Sequence, residues 1–213
     1  MKQPKLFLIH GLFMNSIIMQ YMRYHLSRSG YDVQLFSYPS TRRSLQYNAE
    51  QLLDFVKQQC QQEEICHFVG HSLGGLLIRL GYDYAPQYFN GRIVTLGTPH
   101  KGSEVAQHIA DHIPFNILGH SYENALDGHL PLWQGNIELG SIAGTKCIGI
   151  GSIFQELDKP NDGTVSLVET MLENQTDHIE LPLSHTTLLY SKQVIYQTDY
   201  FLKNGRFDKH LTD

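Results

Sequence analysis

The sequence predicts an α/β protein built on a mostly parallel sheet with helices on both faces. Three observations carry that expectation. Short apolar runs alternate with stretches of helical periodicity along the chain. The strands are separated by helical crossovers rather than tight hairpins, and such connections are right-handed and join parallel strands. The length, 213 residues, is that of one large domain and suffices for a core without staples. No internal repeat or low-complexity linker divides it, so residues 1–213 read as a single domain.

Each element has a local reason. Lys5 to Ile9 reads as a buried strand ended by His10-Gly11. Ile17, Ile18, Tyr21, Met22 and Leu26 then recur at helical spacing, with Asn15 or Ser16 as cap and Gly30 as stop. Tyr31 to Ser37 reads as a strand broken at Pro39, and Ser44 to Cys60 as a helix with Leu52, Leu53, Phe55 and Val56 on its apolar side. Ile65 to Val69 is a third strand, followed by a helix from Leu73 to Tyr82. Arg92 to Leu96, Lys146 to Ile150 and His178 to Leu181 are the remaining strands, and the last helix runs from near Ser191 to Asn204-Gly205.

One connection is too long. About forty residues separate the fourth strand from the fifth, where a crossover with its helix needs only about 12. The excess holds Ile113, Pro114, Phe115, Ile117, Leu118, Leu130 and Trp133, the only tryptophan. Such an insertion, within residues 104–145, fits a small cap over a site equally as well as an extra helix packed on the sheet.

Composition narrows the function classes. Sixteen Lys+Arg against 21 Asp+Glu give a net charge of −5, which argues against nucleic acid as main partner. Cys60, Cys66 and Cys147 lack metal-type spacing and read as reduced thiols. The N-terminal apolar run, Leu6 to Ile9, is shorter than a signal sequence or a spanning helix requires, so the cytoplasm is the expected location.

Gly70-His71-Ser72-Leu73-Gly74 matches G-x-S-x-G between a strand and an amphipathic helix, the context that gives the pattern meaning. A serine on a sharp strand-to-helix turn is lifted clear of the sheet. Larger side chains two positions either side would clash, which explains Gly70 and Gly74. A serine alcohol needs a base, and the base an orienting acid. Twelve histidines are available, but reactive groups in open α/β sheets collect at the carboxyl ends of the strands. His185 lies in the loop after the last strand, and Asp162 in the loop after the fifth, both at the end where Ser72 sits.

The rivals fit less well. His71 adjoins the nucleophile but is expected to point away; His67 lies within a strand and His25 on a helix. Asp177 enters the sixth strand at the wrong end, and Asp158 lies near Asp162. For the oxyanion, the backbone N–H groups of Leu73 and of Leu12, in the loop after the first strand, are the expected donors.

With these residues in place, the chain resembles the α/β-hydrolase family, in particular its small bacterial lipase and esterase branch. The resemblance rests on Ile9-His10-Gly11-Leu12, Gly70 to Gly75, Gly97-Thr98-Pro99-His100-Lys101-Gly102-Ser103, Asn161-Asp162-Gly163-Thr164-Val165 and Ser184-His185, in family order. It implies an α/β-hydrolase fold with about six parallel strands in the order 2-1-3-4-5-6, and a triad of Ser72, Asp162 and His185. It also implies carboxylic ester hydrolysis of a small-molecule or lipid ester. The 98–103 loop looks like a lipase feature near the site rather than a catalytic element.

Other patterns are weaker. His108 and His112 share a helical face four apart, but spacing supplies no third metal ligand. Gly149-Ile150-Gly151 lacks the rest of a dinucleotide fingerprint, so no cofactor and no metal are expected. The expected activity is ester hydrolysis through an acyl-enzyme. An acyltransferase or thioesterase would use the same triad, and a hydrolase-fold binding protein would leave it unused.

Overall fold

A computed structural model describes residues 2–60, 64–113, 116–148 and 160–211. Six strands, β1 (Lys5–Ile9), β2 (Asp32–Phe36), β3 (Cys66–His71), β4 (Ile93–Leu96), β5 (Leu139–Gly144) and β6 (Asp177–Leu181), form one sheet in the order β2-β1-β3-β4-β5-β6. All five pairings are parallel, so the expected topology stands.

Alternation along the strands sends apolar residues to both faces. On one face, Phe7, Ile9 and Phe68 pack with Leu52 and Val56 of α2 (Leu45–Gln59) and Leu76 and Leu77 of α3 (Leu73–Tyr84). On the other, Leu6, Leu8, Val69 and Val94 meet Met22 and Leu26 of α1 (Gln20–Arg28) and Phe201 of α5 (Lys192–Asn204). The caps follow sequence chemistry. Asn15 accepts from the Ile17 N–H at the turn leading into α1, and Ser44, Ser103 and Ser191 cap α2, α4 (Glu104–His112) and α5. Gly205 ends α5 in the left-handed conformation.

Two expectations are corrected. The fifth strand is Leu139–Gly144, not Lys146 to Ile150, of which residues 149–150 lie outside the described residues. Its Gly, Ser and Ala residues have weak strand propensity; at Gly140 the rings of Phe201 and Phe207 leave no room for a side chain. The insertion therefore ends at residue 138 rather than 145. The second correction concerns the thiols. Cys60 closes α2, Cys66 opens β3, and the short connection brings them together in a disulfide, so only Cys147 is a free thiol. This removes the thiol argument for a reducing compartment. No helix among the described residues is long and apolar enough to cross a membrane.

Candidate active site

The β3–α3 turn places Ser72 at φ 54° and ψ −125°, a conformation non-glycine residues rarely adopt. The surroundings enforce it. The Ser72 N–H donates to the Leu96 carbonyl at 2.9 Å, and the Ser72 carbonyl accepts from the Gly75 N–H and the Thr98 hydroxyl, both at 3.0 Å. Only glycine fits at position 74, where a Cβ would lie 2.5 Å from the Ile9 carbonyl oxygen and 2.6 Å from that of His10.

The structure brings Asp162 and His185 together. His185 Nδ1 lies 2.7 Å from Asp162 Oδ2, with both side chains buried. The other carboxylate oxygen of Asp162 accepts the N–H groups of Thr164 and Val165 at 2.9 and 2.7 Å. The His185 N–H donates to the Asp162 carbonyl at 2.9 Å. An ionised carboxylate only accepts, so this pairing puts the imidazole proton on Nδ1 and leaves Nε2 as the basic nitrogen.

Ser72 and His185 border one cavity of about 320 Å³. Its walls are apolar: Leu12, Phe13 and Met14 from the β1 loop, Val105, Ala106 and Ile109 from α4, and Leu118 and Leu126 beyond it. Leu12 thus reaches the cavity, and Leu73, the first residue of α3, has no preceding helical turn to take up its N–H. The β1 loop is shaped by His10, whose ring stacks on Tyr38 with centroids 4.4 Å apart. His10 Nδ1 lies 2.8 Å from the Gly11 carbonyl and Nε2 accepts the Tyr38 N–H at 3.3 Å. Burial lowers the His10 pKa and keeps this ring neutral.

Two contributors had weak or no sequence signal. His71, expected to point away, lies against His185. Its Nε2 is 3.0 Å from the His185 carbonyl, and the two rings are 4.6 Å apart. A carbonyl only accepts, so His71 carries its proton on Nε2; burial and the neighbouring His185 hold its pKa well below the usual range. Glu169 is the second. Its carboxylate accepts the Glu104 N–H at the start of α4 and the Ser166 N–H beside the Asp162 loop, each at 2.6 Å. Burial pushes its pKa up to about 7. Its bond to Ser166 follows the Ser-x-x-Glu capping-box spacing, with the Ser166 hydroxyl accepting the Glu169 N–H in return, whereas no local pattern marks its bond to Glu104.

Two of the rivals have partners elsewhere. Asp177 anchors the C-terminal segment through Lys209 at 2.6 Å and the Phe207 N–H at 2.9 Å. His67 accepts the Arg92 N–H at 2.8 Å at the far end of β3. His108 and His112 stack, and no group of three or more metal-type side chains occurs among the described residues. Asp158 and Gly149-Ile150-Gly151 lie outside the described residues.

The model of the alpha/beta hydrolase fold family matches residues 4–134. The chain belongs to that family. Two triacylglycerol lipases, from Pseudarthrobacter phenanthrenivorans and Burkholderia plantarii, are each 42% identical to this hydrolase-fold chain over 64 residues. That stretch is 29% of this chain and 20% and 18% of theirs, so the match spans about a fifth of each relative. Among solved structures, the mature Bacillus licheniformis lipase BlEst2 is similar with a TM-score of 0.77 and 20% identity, covering 96% of this chain and 92% of that one. The metagenomic carboxyl esterase MGS0156 has a TM-score of 0.68 and 17% identity over 86% of this alpha/beta hydrolase and 65% of the esterase. At these identities the structural likeness shows the shared fold.

Proposed function

We propose that this chain is a serine hydrolase that cleaves carboxylic esters with an apolar acyl group. One observation carries the reading: a serine in a strained strand-to-helix turn and a carboxylate-oriented imidazole border the same apolar cavity. In this reading Ser72 Oγ attacks the ester carbonyl while His185 Nε2 takes its proton, and Asp162 stabilises the imidazolium. The N–H groups of Leu12 and Leu73 stabilise the oxyanion, a contribution of about 3–4 kcal/mol per donor in related chemistry. The tetrahedral intermediate collapses as His185 gives its proton to the departing alkoxide, leaving the acyl group on Ser72. Water, deprotonated by His185, then attacks the acyl-enzyme and releases the acid and the serine.

Residues 104–138 serve in this reading as a short cap within a single catalytic domain. Glu169 ties the cap to the acid-bearing loop, and the cap's apolar side chains choose the acyl group. A panel of p-nitrophenyl esters from acetate to palmitate tests the proposal. Hydrolysis is expected by the wild type and not by folded Ser72→Ala. Equal turnover by the two proteins would reject it.

A further inference from the structure

The loop after β1 carries the Leu12 N–H, and the loop after β2 grips it. β1 and β2 pair in parallel with Ile9 opposite Phe36, so residues 10–13 and 38–40 leave the sheet side by side. The first of these loops lies directly against the nucleophile. A Cβ on Gly11 would stand 2.9 Å from the Ser72 Cβ.

Three successive peptide groups of this loop each have a side-chain partner. The Tyr38 hydroxyl donates to the His10 carbonyl at 2.9 Å. The His10 ring accepts the Tyr38 N–H on Nε2, so its proton is on Nδ1, which donates to the Gly11 carbonyl at 2.8 Å. The Ser40 hydroxyl oxygen accepts the Phe13 N–H at 3.2 Å. Phe13 sits at φ 58°, in the left-handed region that an aromatic residue rarely enters. Burial raises the Tyr38 pKa, so its hydroxyl keeps the proton it donates. His10, Tyr38 and Ser40 are all buried, and their bonds lie beyond the strand ends, outside the sheet ladder.

A peptide group is planar and trans, so its C=O and N–H point in opposite directions. Fixing the Gly11 carbonyl therefore fixes the direction of the Leu12 N–H. The bonds to the His10 carbonyl and the Phe13 N–H hold the peptide planes on either side, which leaves Leu12 little freedom to turn.

Resting on the hydrolase reading above, we propose that Tyr38 and Ser40 are positioning residues that aim the Leu12 N–H at the oxyanion. Tyr38 acts through the His10 ring and carbonyl, and Ser40 through the Phe13 peptide. Neither side chain borders the Ser72 cavity, so each acts through the loop and not on the substrate.

Tyr38→Phe keeps the ring against His10 and removes only the hydroxyl. Ser40→Ala removes the acceptor, and Ser40→Thr keeps it. With p-nitrophenyl butyrate, Tyr38→Phe and Ser40→Ala are each expected to lower kcat about tenfold with little change in KM. That is a fraction of the loss of about 10²–10³-fold when a donor is removed altogether. A hexyl trifluoromethyl ketone, which adds reversibly to a reactive serine as an oxyanion, should lose affinity by a similar factor. Ser40→Thr should recover most of both losses. Lower stability alone would reduce the active fraction, and kcat with it, but would leave the inhibition constant of the ketone unchanged. If the variants of one position do not fold by far-ultraviolet circular dichroism, the other position carries the test. Unchanged kcat in either folded variant, a fall in kcat without weaker ketone inhibition, or equal loss in Ser40→Thr and Ser40→Ala would overturn the proposal. A wild type no more active than Ser72→Ala would instead reject the hydrolase reading, and the proposal with it.

Discussion

The two sides of the Ser72 cavity are held in different ways. On the sheet side, Ser72, Asp162 and His185 are fixed by hydrogen bonds from several elements, most with a backbone group on at least one side. On the opposite side, α4 and residues 116–126 face the cavity with aliphatic side chains, and Glu169 is the polar clasp that ties α4 to the acid loop. Reacting groups must be placed within a fraction of an ångström, which directional bonds achieve. A surface that selects an acyl chain needs only shape and apolar area. The contrast teaches which residues should change rate and which should change preference.

The largest break falls on the sheet side. Asp162→Asn removes the acceptor that fixes the His185 tautomer, and kcat for p-nitrophenyl butyrate is expected to fall about 10⁴-fold with little change in KM. His71 acts one step further out. His71→Leu loses the hydrogen bond to the His185 carbonyl and should lower kcat about 10²-fold, the scale of a small misplacement of a catalytic group. His71→Gln offers an amide N–H in a similar place and should recover most of that loss. Equal loss in both variants would mean that His71 acts only by filling space.

Stability against pH separates the regions by sign. Buried His67, in the sheet, has its pKa lowered to about 4, mainly by burial, so the unfolded chain binds more protons between pH 6.5 and 4. Its contribution, about 3 kcal/mol, is present above pH 6.5 and lost as pH falls through 4. Glu169, clasping the insertion, has its pKa raised to about 7, so the folded chain binds the extra proton. Its contribution is present below about pH 4.5 and lost as pH rises through 7. Urea midpoints against pH should therefore change slope in opposite directions in His67→Asn and Glu169→Gln. Slopes that move together would contradict the assignment.

The smallest effect belongs to the insertion. Ile109→Phe narrows the cavity and should lower kcat/KM for the octanoate ester about tenfold relative to acetate, since a few methylenes in an apolar pocket carry only that much discrimination.

The same division explains what was legible in the sequence. Gly70, Ser72 and Gly74 announced the turn because its geometry admits few residues, and strand-end topology then selected Asp162 and His185 from many carboxylates and twelve histidines. The β5 strand is hard to place because Gly140, Ser141 and Ala143 have weak strand propensity, and what excludes a side chain at Gly140 is the pair of distant rings, Phe201 and Phe207, packed on it. The direction of His71 follows from the turn's exact dihedral angles, which spacing does not encode. Glu169 also accepts the N–H of Glu104, 65 residues away, and no local pattern records that partner. The Cys60–Cys66 bond depended on how α2 and β3 meet, a tertiary fact.

The central claim is that Ser72 is the nucleophile. Mass spectrometry after treatment with a fluorophosphonate tests it most directly. One phosphonyl adduct is expected on the peptide that contains Ser72, absent in Ser72→Ala and greatly slowed in His185→Ala. A folded wild type without an adduct, or an adduct that persists in Ser72→Ala, would contradict the account.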